Sequence, residues 1–241
     1  WIHGLLPIPC NPLESGLRRK FVVAERTYRK THILKKQPTS LELIKNIADT
    51  FANESATLKD FRTATMNVLS FAGLFRSKEL LNIGLCDVSL KEDHIKIHVP
   101  SSKTEKVRMY LSLGQIRRHV RLVVGQVSSK SKSNLNDSWD YLFRNLIYLK
   151  KTKQYILGKK AVSYTRFREL FKECLRQLGY DCSVYSLDSF HAGGATEIVK
   201  NFPNIKERER LLKLHGRWKS DIAKDMYVQE DIQQRLAVTT A

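Results

Sequence analysis

The chain is short of acid. Against 42 Lys and Arg it sets 24 Asp and Glu, for a formal charge of +18 and an isoelectric point of about 9.8 over 241 residues. The excess is spread along the whole length rather than gathered in a tail, and it meets the electrostatic criterion for a DNA or RNA binder better than that of a merely solvated surface. Cysteine is scarce as well. Cys10, Cys86, Cys174 and Cys182 lie far apart and form no CxxC pair, which argues against a zinc site or a disulfide framework and fits a reducing, intracellular compartment. No apolar run approaches the roughly 18 residues of a membrane-spanning helix. The opening Trp1-Ile2-His3-Gly4-Leu5-Leu6-Pro7 lacks a basic region and an initiating Met; it reads as the interior of a longer protein rather than a signal peptide. With 42% hydrophobic residues the chain has material for one substantial core, or one core and a fragment of another.

Patterning divides the chain. Asn11 as N-cap, Pro12 at the first helical position and the series Leu13, Leu17, Phe21 predict a strongly basic first helix. Residues 1–29 read as the end of a separate N-terminal DNA-binding domain, and 30–38, with Lys35-Lys36-Gln37-Pro38, as a linker. Residues 39–230 follow as the main domain and 231–241 as a C-terminal tail. Within the main domain Thr39 or Ser40 caps a helix bearing Leu41, Ile44, Ala48 and Phe51. A second helix runs from about Thr57 to Leu74, and a short third holds Arg76 to Asn82. The period then changes from 3.6 to 2 at 88–90, 94–99 and 107–111, which predicts a small three-stranded antiparallel sheet. Its second connection is the polar loop 101–106. Residues 128–138 are a low-complexity surface loop. Helical pattern returns over 163–178, 186–200, 204–214 and 220–227. The expected fold is mainly α, with one small three-stranded antiparallel sheet between the third and fourth helices.

Nine positions after Trp218, at the end of this basic domain, stands Tyr227. Cleaving a phosphodiester without a metal requires a nucleophile, cations on the non-bridging oxygens, and an acid for the departing 5′-oxygen. Arginine suits the second task, because its planar fork binds phosphate bidentately and keeps its charge. Lysine suits the third when neighbouring cations lower its pKa.

Four stretches, in order, resemble the boxes of the tyrosine recombinases, or phage integrases. Residues 63–83, containing Gly73-Leu74-Phe75-Arg76-Ser77-Lys78-Glu79-Leu80, are similar to the first box, and Ser101-Ser102-Lys103-Thr104 to the β-hairpin lysine loop. Ser186-Leu187-Asp188-Ser189-Phe190-His191-Ala192-Gly193-Gly194-Ala195-Thr196 resembles the second box, and Gly216-Arg217-Trp218 with Tyr227 the third box and the nucleophile. The wording is most similar to eukaryotic Crypton and DIRS-like transposon-borne members. The resemblance implies the tyrosine-recombinase catalytic-domain fold and strand cleavage and rejoining through a 3′-phosphotyrosyl intermediate, with no metal or other cofactor. It makes Arg76 the first phosphate clamp, Glu79 its orienting partner and Lys103 the acid, with Lys106 as an alternative acid. Trp218 packs on the site and Tyr227 attacks. Arg18, Arg19, Lys35, Lys36, Lys106, Arg217 and Lys219 are the expected DNA contacts. The partners it implies are double-stranded DNA and a neighbouring copy docked through the tail, in the nucleus.

The second box departs from the pattern. Asp188 stands where the family has His, and His191 where it has Arg. An Asp in a first helical turn meets the positive end of the dipole, yet it repels a phosphate. His191 keeps a donor but lacks the fork, and with a reference pKa of about 6.5 it is mostly neutral at pH 7. The departures favour a second reading, a catalytically impaired, domesticated DNA-binding protein. A third, an unrelated basic RNA-binding module, leaves the order of the boxes a coincidence.

Overall fold

The computed structural model describes residues 20–25, 36–53, 55–92, 94–99, 107–112, 141–201, 205–225 and 227–228. The chain divides into two compact units, 1–35 and 36–241. Of the first, residues 20–25 are described; they are helical, with Phe21 and Val23 exposed. The first helix's cap, most of the linker, the loops 101–106 and 128–138 and the tail lie outside the described residues.

In the second unit α1 (Leu41–Phe51) begins where Ser40 Oγ accepts from the Leu43 N–H at 3.1 Å, and it turns Leu43, Ile44, Ile47 and Phe51 inward. Ile44 and Phe51 belong to the expected stripe, but Leu43 and Ile47 are buried in place of Leu41 and Ala48, which are only partly covered. Helix α2 (Leu58–Ala72) is capped by Thr57 and is buried at every position from Phe61 through Phe71. Two of its hydroxyls are satisfied within the helix, Thr63 Oγ1 donating to the Lys59 carbonyl at 2.7 Å and Thr65 Oγ1 to the Phe61 carbonyl at 2.9 Å, whereas the Asn67 amide and the Ser70 hydroxyl are buried without a partner among the described residues. Short α3 (Ser77–Leu81) follows, then β1 (Val88–Leu90), β2 (His94–Val99) and β3 (Val107–Ser112), paired antiparallel in the order β1-β2-β3. On β2 the alternation puts Ile95, Ile97 and Val99 in the core.

A second sheet lies outside the sequence expectation. Strands β4 (Arg144–Leu149) and β5 (Gln154–Ala161) form an antiparallel hairpin. Its turn is Lys150-Lys151-Thr152-Lys153, with no Gly, Asn or Pro, and Lys153 takes the left-handed conformation at φ 51°. Both faces of its outer half are exposed, so neither turn chemistry nor period-2 burial marks it in the sequence.

Helix α4 (Tyr164–Gln177), capped by Ser163, sends Phe167, Leu170 and Phe171 into the core, where Phe171 meets Phe190 of α5 (Asp188–Asn201) at 4.4 Å between ring centroids. Gly193 and Gly194 let α5 lie against other backbone. A Cβ on Gly193 would strike the Thr39 carbonyl, and one on Gly194 the Phe71 carbonyl. The backbone bond from Thr39 N–H to the Ser189 carbonyl, 3.0 Å, closes the same seam. Helices α6 (Ile205–Gly216) and α7 (Asp221–Asp225) complete the described unit, and buried Lys224 of α7 pairs with Glu209 of α6. Leu74, Ala195, Leu212 and Trp218 form a second, smaller core, with Ala223 and Tyr227 packed against it. Among the described residues no helix is long and apolar enough to cross a membrane.

Candidate active site

The site is built where the end of α2 meets the end of α6. After Gly73 the backbone turns sharply at Leu74, φ 45°, and Arg76 opens α3. Glu79, one turn into α3, closes that turn: its Oε2 accepts the Arg76 backbone N–H at 3.0 Å, and its Oε1 accepts from Arg76 Nη1 at 3.0 Å. The Arg76 side chain is 46% exposed and aimed by this contact. The contact joins the two residues for which the family resemblance implies a clamp and its orienting partner.

The same carboxylate has a second arginine. Arg217 Nη2 donates to Glu79 Oε2 at 2.8 Å and to the Leu74 carbonyl at 2.6 Å, while Nη1 donates to the carbonyls of Gly73 at 3.1 Å and His215 at 2.9 Å. Its guanidinium also lies over the Phe75 ring, 5.2 Å from the centroid. The sequence expectation of a DNA-facing Arg217 is therefore corrected: its side chain is only 7% exposed, because four converging acceptors and a π face offer more than solvent does. Burial would raise the Glu79 pKa, but the Arg217 charge, the Arg76 backbone bond, the Arg217 bond and the Arg76 charge outweigh it and hold it below the ordinary carboxylate value.

His215, a residue the sequence reading did not single out, supports the corner. Its Nε2–H donates to the Ala72 carbonyl at 2.8 Å. Burial and then the Arg217 charge lower its pKa against the raising effect of that bond. The cue was present in the sequence, as the residue beside Gly216-Arg217-Trp218, but a surface histidine looks the same there.

His191, Trp218 and Tyr227 meet on the other side of this corner. The His191 ring is 4.9 Å from Trp218 and 4.6 Å from Tyr227 between centroids, and Trp218 is 5.7 Å from Tyr227. His191 is 2% exposed and Trp218 5%. Burial, then the charges of Arg76 and Arg217, push the His191 pKa down to about 3, so the imidazole is neutral at pH 7 with one N–H and one lone pair. Both its nitrogens and the Trp218 Nε1 are buried without a hydrogen-bond partner among the described residues. An unpaired buried polar atom costs about 1–3 kcal/mol, and three around one tyrosine make a site shaped for a polar ligand.

Asp188 opens α5 and is exposed, one helical turn before His191. Lys219 is exposed beside Trp218. Lys36 is exposed too, and its ammonium donates to the Ser183 carbonyl at 2.5 Å. Arg18, Arg19, Lys35, Lys103 and Lys106 lie outside the described residues. The structure thus brings Arg76, Glu79, His191, Trp218 and Tyr227 together, with Asp188 one turn from His191. Among the described residues no cluster of His, Cys, Asp and Glu is arranged to hold a metal ion.

No family model matches the chain, and no curated protein matches it in sequence. Solved structures do match in shape. The XerH site-specific recombinase, bound to palindromic difH substrate as a post-cleavage complex, matches with a TM-score of 0.64 at 12% identity, over 86% of this chain and 53% of its own. XerA recombinase matches at 0.59 and 12%, over 86% of this chain and 65% of its own. The Tn1549 transposon integrase in complex with circular intermediate DNA matches at 0.56 and 8%, over 87% of this chain and 66% of its own. The chain therefore spans between about half and two thirds of the length of these structures. At such identities the likeness is one of fold, and the fold is that of the tyrosine-recombinase catalytic domain: mainly helical, with small antiparallel sheets.

Proposed function

We propose that this protein binds duplex DNA as a tyrosine-recombinase domain, descended from a Crypton or DIRS-like mobile element, and that its chemistry is cleavage and rejoining of one strand. Tyr227 is the nucleophile: its hydroxyl gives its proton to solvent, its oxygen bonds to the scissile phosphorus and the P–O5′ bond breaks, giving a 3′-phosphotyrosyl bond. Arg76, oriented by Glu79, neutralises a non-bridging oxygen, the Trp218 N–H and one His191 N–H donate to the same phosphate, and Lys103 protonates the leaving oxygen. The reading includes work in pairs on two DNA sites in the nucleus, with 231–241 docking on a neighbouring copy.

One observation carries it. Three unpartnered buried nitrogens surround Tyr227, and the neighbouring Arg76 acts electrostatically on one of them, His191. An oxyanion accepts from the Trp218 Nε1–H and from the one N–H of neutral His191 beside the Arg76 charge, and the charge of +18 favours a polyanion as its carrier.

A second reading also has an observation behind it. His191 is neutral and buried where the family resemblance calls for a permanent cation. Loss of one preorganised donor typically costs about 100- to 1000-fold in rate, so a domesticated DNA-binding protein without cleavage is the alternative. Incubation with nicked suicide duplexes carrying candidate element ends separates the two. A covalent complex on a denaturing gel, absent in Tyr227→Phe, marks the enzyme. Binding that weakens steeply with salt but never becomes covalent marks the relic, and binding indifferent to salt sinks both.

A further inference from the structure

The β4–β5 hairpin is rooted at one end and unpartnered at the other. At its base Leu157 packs on the main core, Arg144 Nε donates to the Gly158 carbonyl at 2.5 Å, and the Val162 N–H bonds the Phe143 carbonyl at 2.9 Å. Beyond the base the register sets Ile147 opposite Ile156 and Tyr148 opposite Tyr155, on alternate faces. These four side chains and Leu149 are 36–49% exposed, and the two tyrosine rings touch each other at 5.0 Å. Neither face of the outer ribbon is therefore covered by this chain's described residues.

Its charge says what suits it. From 141 through 168 the sequence has eight Lys and Arg and no Asp or Glu. Lys150, Lys151 and Lys153 occupy the tip, and Lys159 and Lys160 the returning strand, all exposed. Lys153 sits at φ 51°, a conformation that Gly or Asn adopts at less cost. The turn thus carries a charge where conformation favours a smaller residue. A protein partner covering the Ile and Tyr faces would have to bury or pair a dense set of ammoniums, whereas phosphates take them directly. A two-stranded β-ribbon also matches the width of the major groove of B-DNA, about 12 Å.

We infer that the β4–β5 hairpin is a DNA-contacting ribbon, separate from the tyrosine site, that seats on duplex DNA with its lysine tip on the phosphates and its Tyr and Ile side chains against the groove wall. The inference rests on the duplex-DNA reading above, and it adds a place of contact that the four boxes do not include. Its role is positioning, since phosphate contacts fix register rather than sequence.

The test is fluorescence anisotropy of the full chain with a labelled duplex, over a salt series, for wild type and the triple variant Lys150→Gln, Lys151→Gln, Lys153→Gln. Each phosphate contact contributes about 0.9 to the slope of log K against log salt, so the triple variant is expected to lose about 2 to 3 from that slope while melting like wild type. A wild-type slope in the variant overturns the hairpin inference and leaves the DNA reading standing. Absence of wild-type binding overturns the DNA reading and the hairpin with it. A second variant, Ile147→Ser with Ile156→Ser, is run by sedimentation alongside. If it converts a self-associating wild type to monomer and leaves the salt slope unmoved, the ribbon is an interface between copies and the inference fails.

Discussion

Leu74 and Arg217 both hold left-handed backbone, at φ 45° and 57°, and a 2.6 Å bond from Arg217 Nη2 to the Leu74 carbonyl joins them. Left-handed conformation costs a residue with a Cβ about 1–2 kcal/mol, and such strain persists only where the surroundings over-determine it. Here they do. The Leu74 turn aims carbonyls at the guanidinium, and the Arg217 turn ends α6 so that Trp218 enters the small core. Glu79 then links that arginine to Arg76. The corner ties two stretches about 140 positions apart and fixes Arg76 relative to the aromatic cluster.

Replacing Arg217 separates the two effects held at that corner. Arg217→Ala breaks a buried pair, leaves Glu79 with Arg76 alone and strips three carbonyls of this donor, an expected loss of about 3–5 kcal/mol. Arg217→Gly loses the same contacts but relieves the left-handed backbone, so it should be about 1–2 kcal/mol less damaging than Ala. Arg217→Lys keeps the charge without the planar fork and should still lose stability. Urea unfolding ranks the three; equal losses for Gly and Ala would show that the backbone stores no strain.

The sequence made the helices legible because their caps and apolar stripes agree. Ser40, Thr57 and Ser163 each accept an N–H from inside the helix they precede, as their residue types imply. Strand β2 announced itself by alternation. The β4–β5 hairpin did not, since both faces of its outer half are exposed and its turn, Lys150-Lys151-Thr152-Lys153, has none of the usual turn residues. In the site, the family resemblance singled out Arg76, Glu79, His191, Trp218 and Tyr227, and the structure brings Arg76 against Glu79 and His191 against Trp218 and Tyr227. The inward turn of Arg217 was illegible, because it depends on carbonyls at Gly73 and Leu74, and a sequence shows no backbone acceptors.

His191 links stability to pH. Its folded pKa of about 3 lies below the reference 6.5, so between those values the unfolded chain binds a proton that the folded one refuses. Stability is then present above the unfolded pKa and falls as pH drops through it, by about 1.4 kcal/mol per unit. Between pH 6.5 and 5, above most carboxylate titrations, the expected loss is about 2 kcal/mol, and the lowered His215 adds in the same direction. Unfolding at pH 7 and pH 5 should show a smaller difference for His191→Gln than for wild type. A His191 imidazole that titrates near 6.5 by NMR would refute the buried, neutral state.

The second box decides between enzyme and relic, and it is testable by repair. Asp188 and His191 lie one turn apart on α5; Asp188→His with His191→Arg restores a donor and a permanent fork beside Tyr227. An arginine at 191 adds a cation among Arg76, Arg217 and Glu79, so the repaired protein should be less stable without DNA and recover when a phosphate arrives. Transition-state charge is felt mainly by preorganised donors at the scissile group, while affinity sums many phosphate contacts. Covalent capture on suicide duplexes should therefore rise by about 100-fold or more, with far less change in affinity. Adding Tyr227→Phe should abolish capture and leave binding. A repaired protein that cleaves equally without Tyr227 would mean the nucleophile lies elsewhere, and one that binds but never cleaves would place the erosion beyond these two residues.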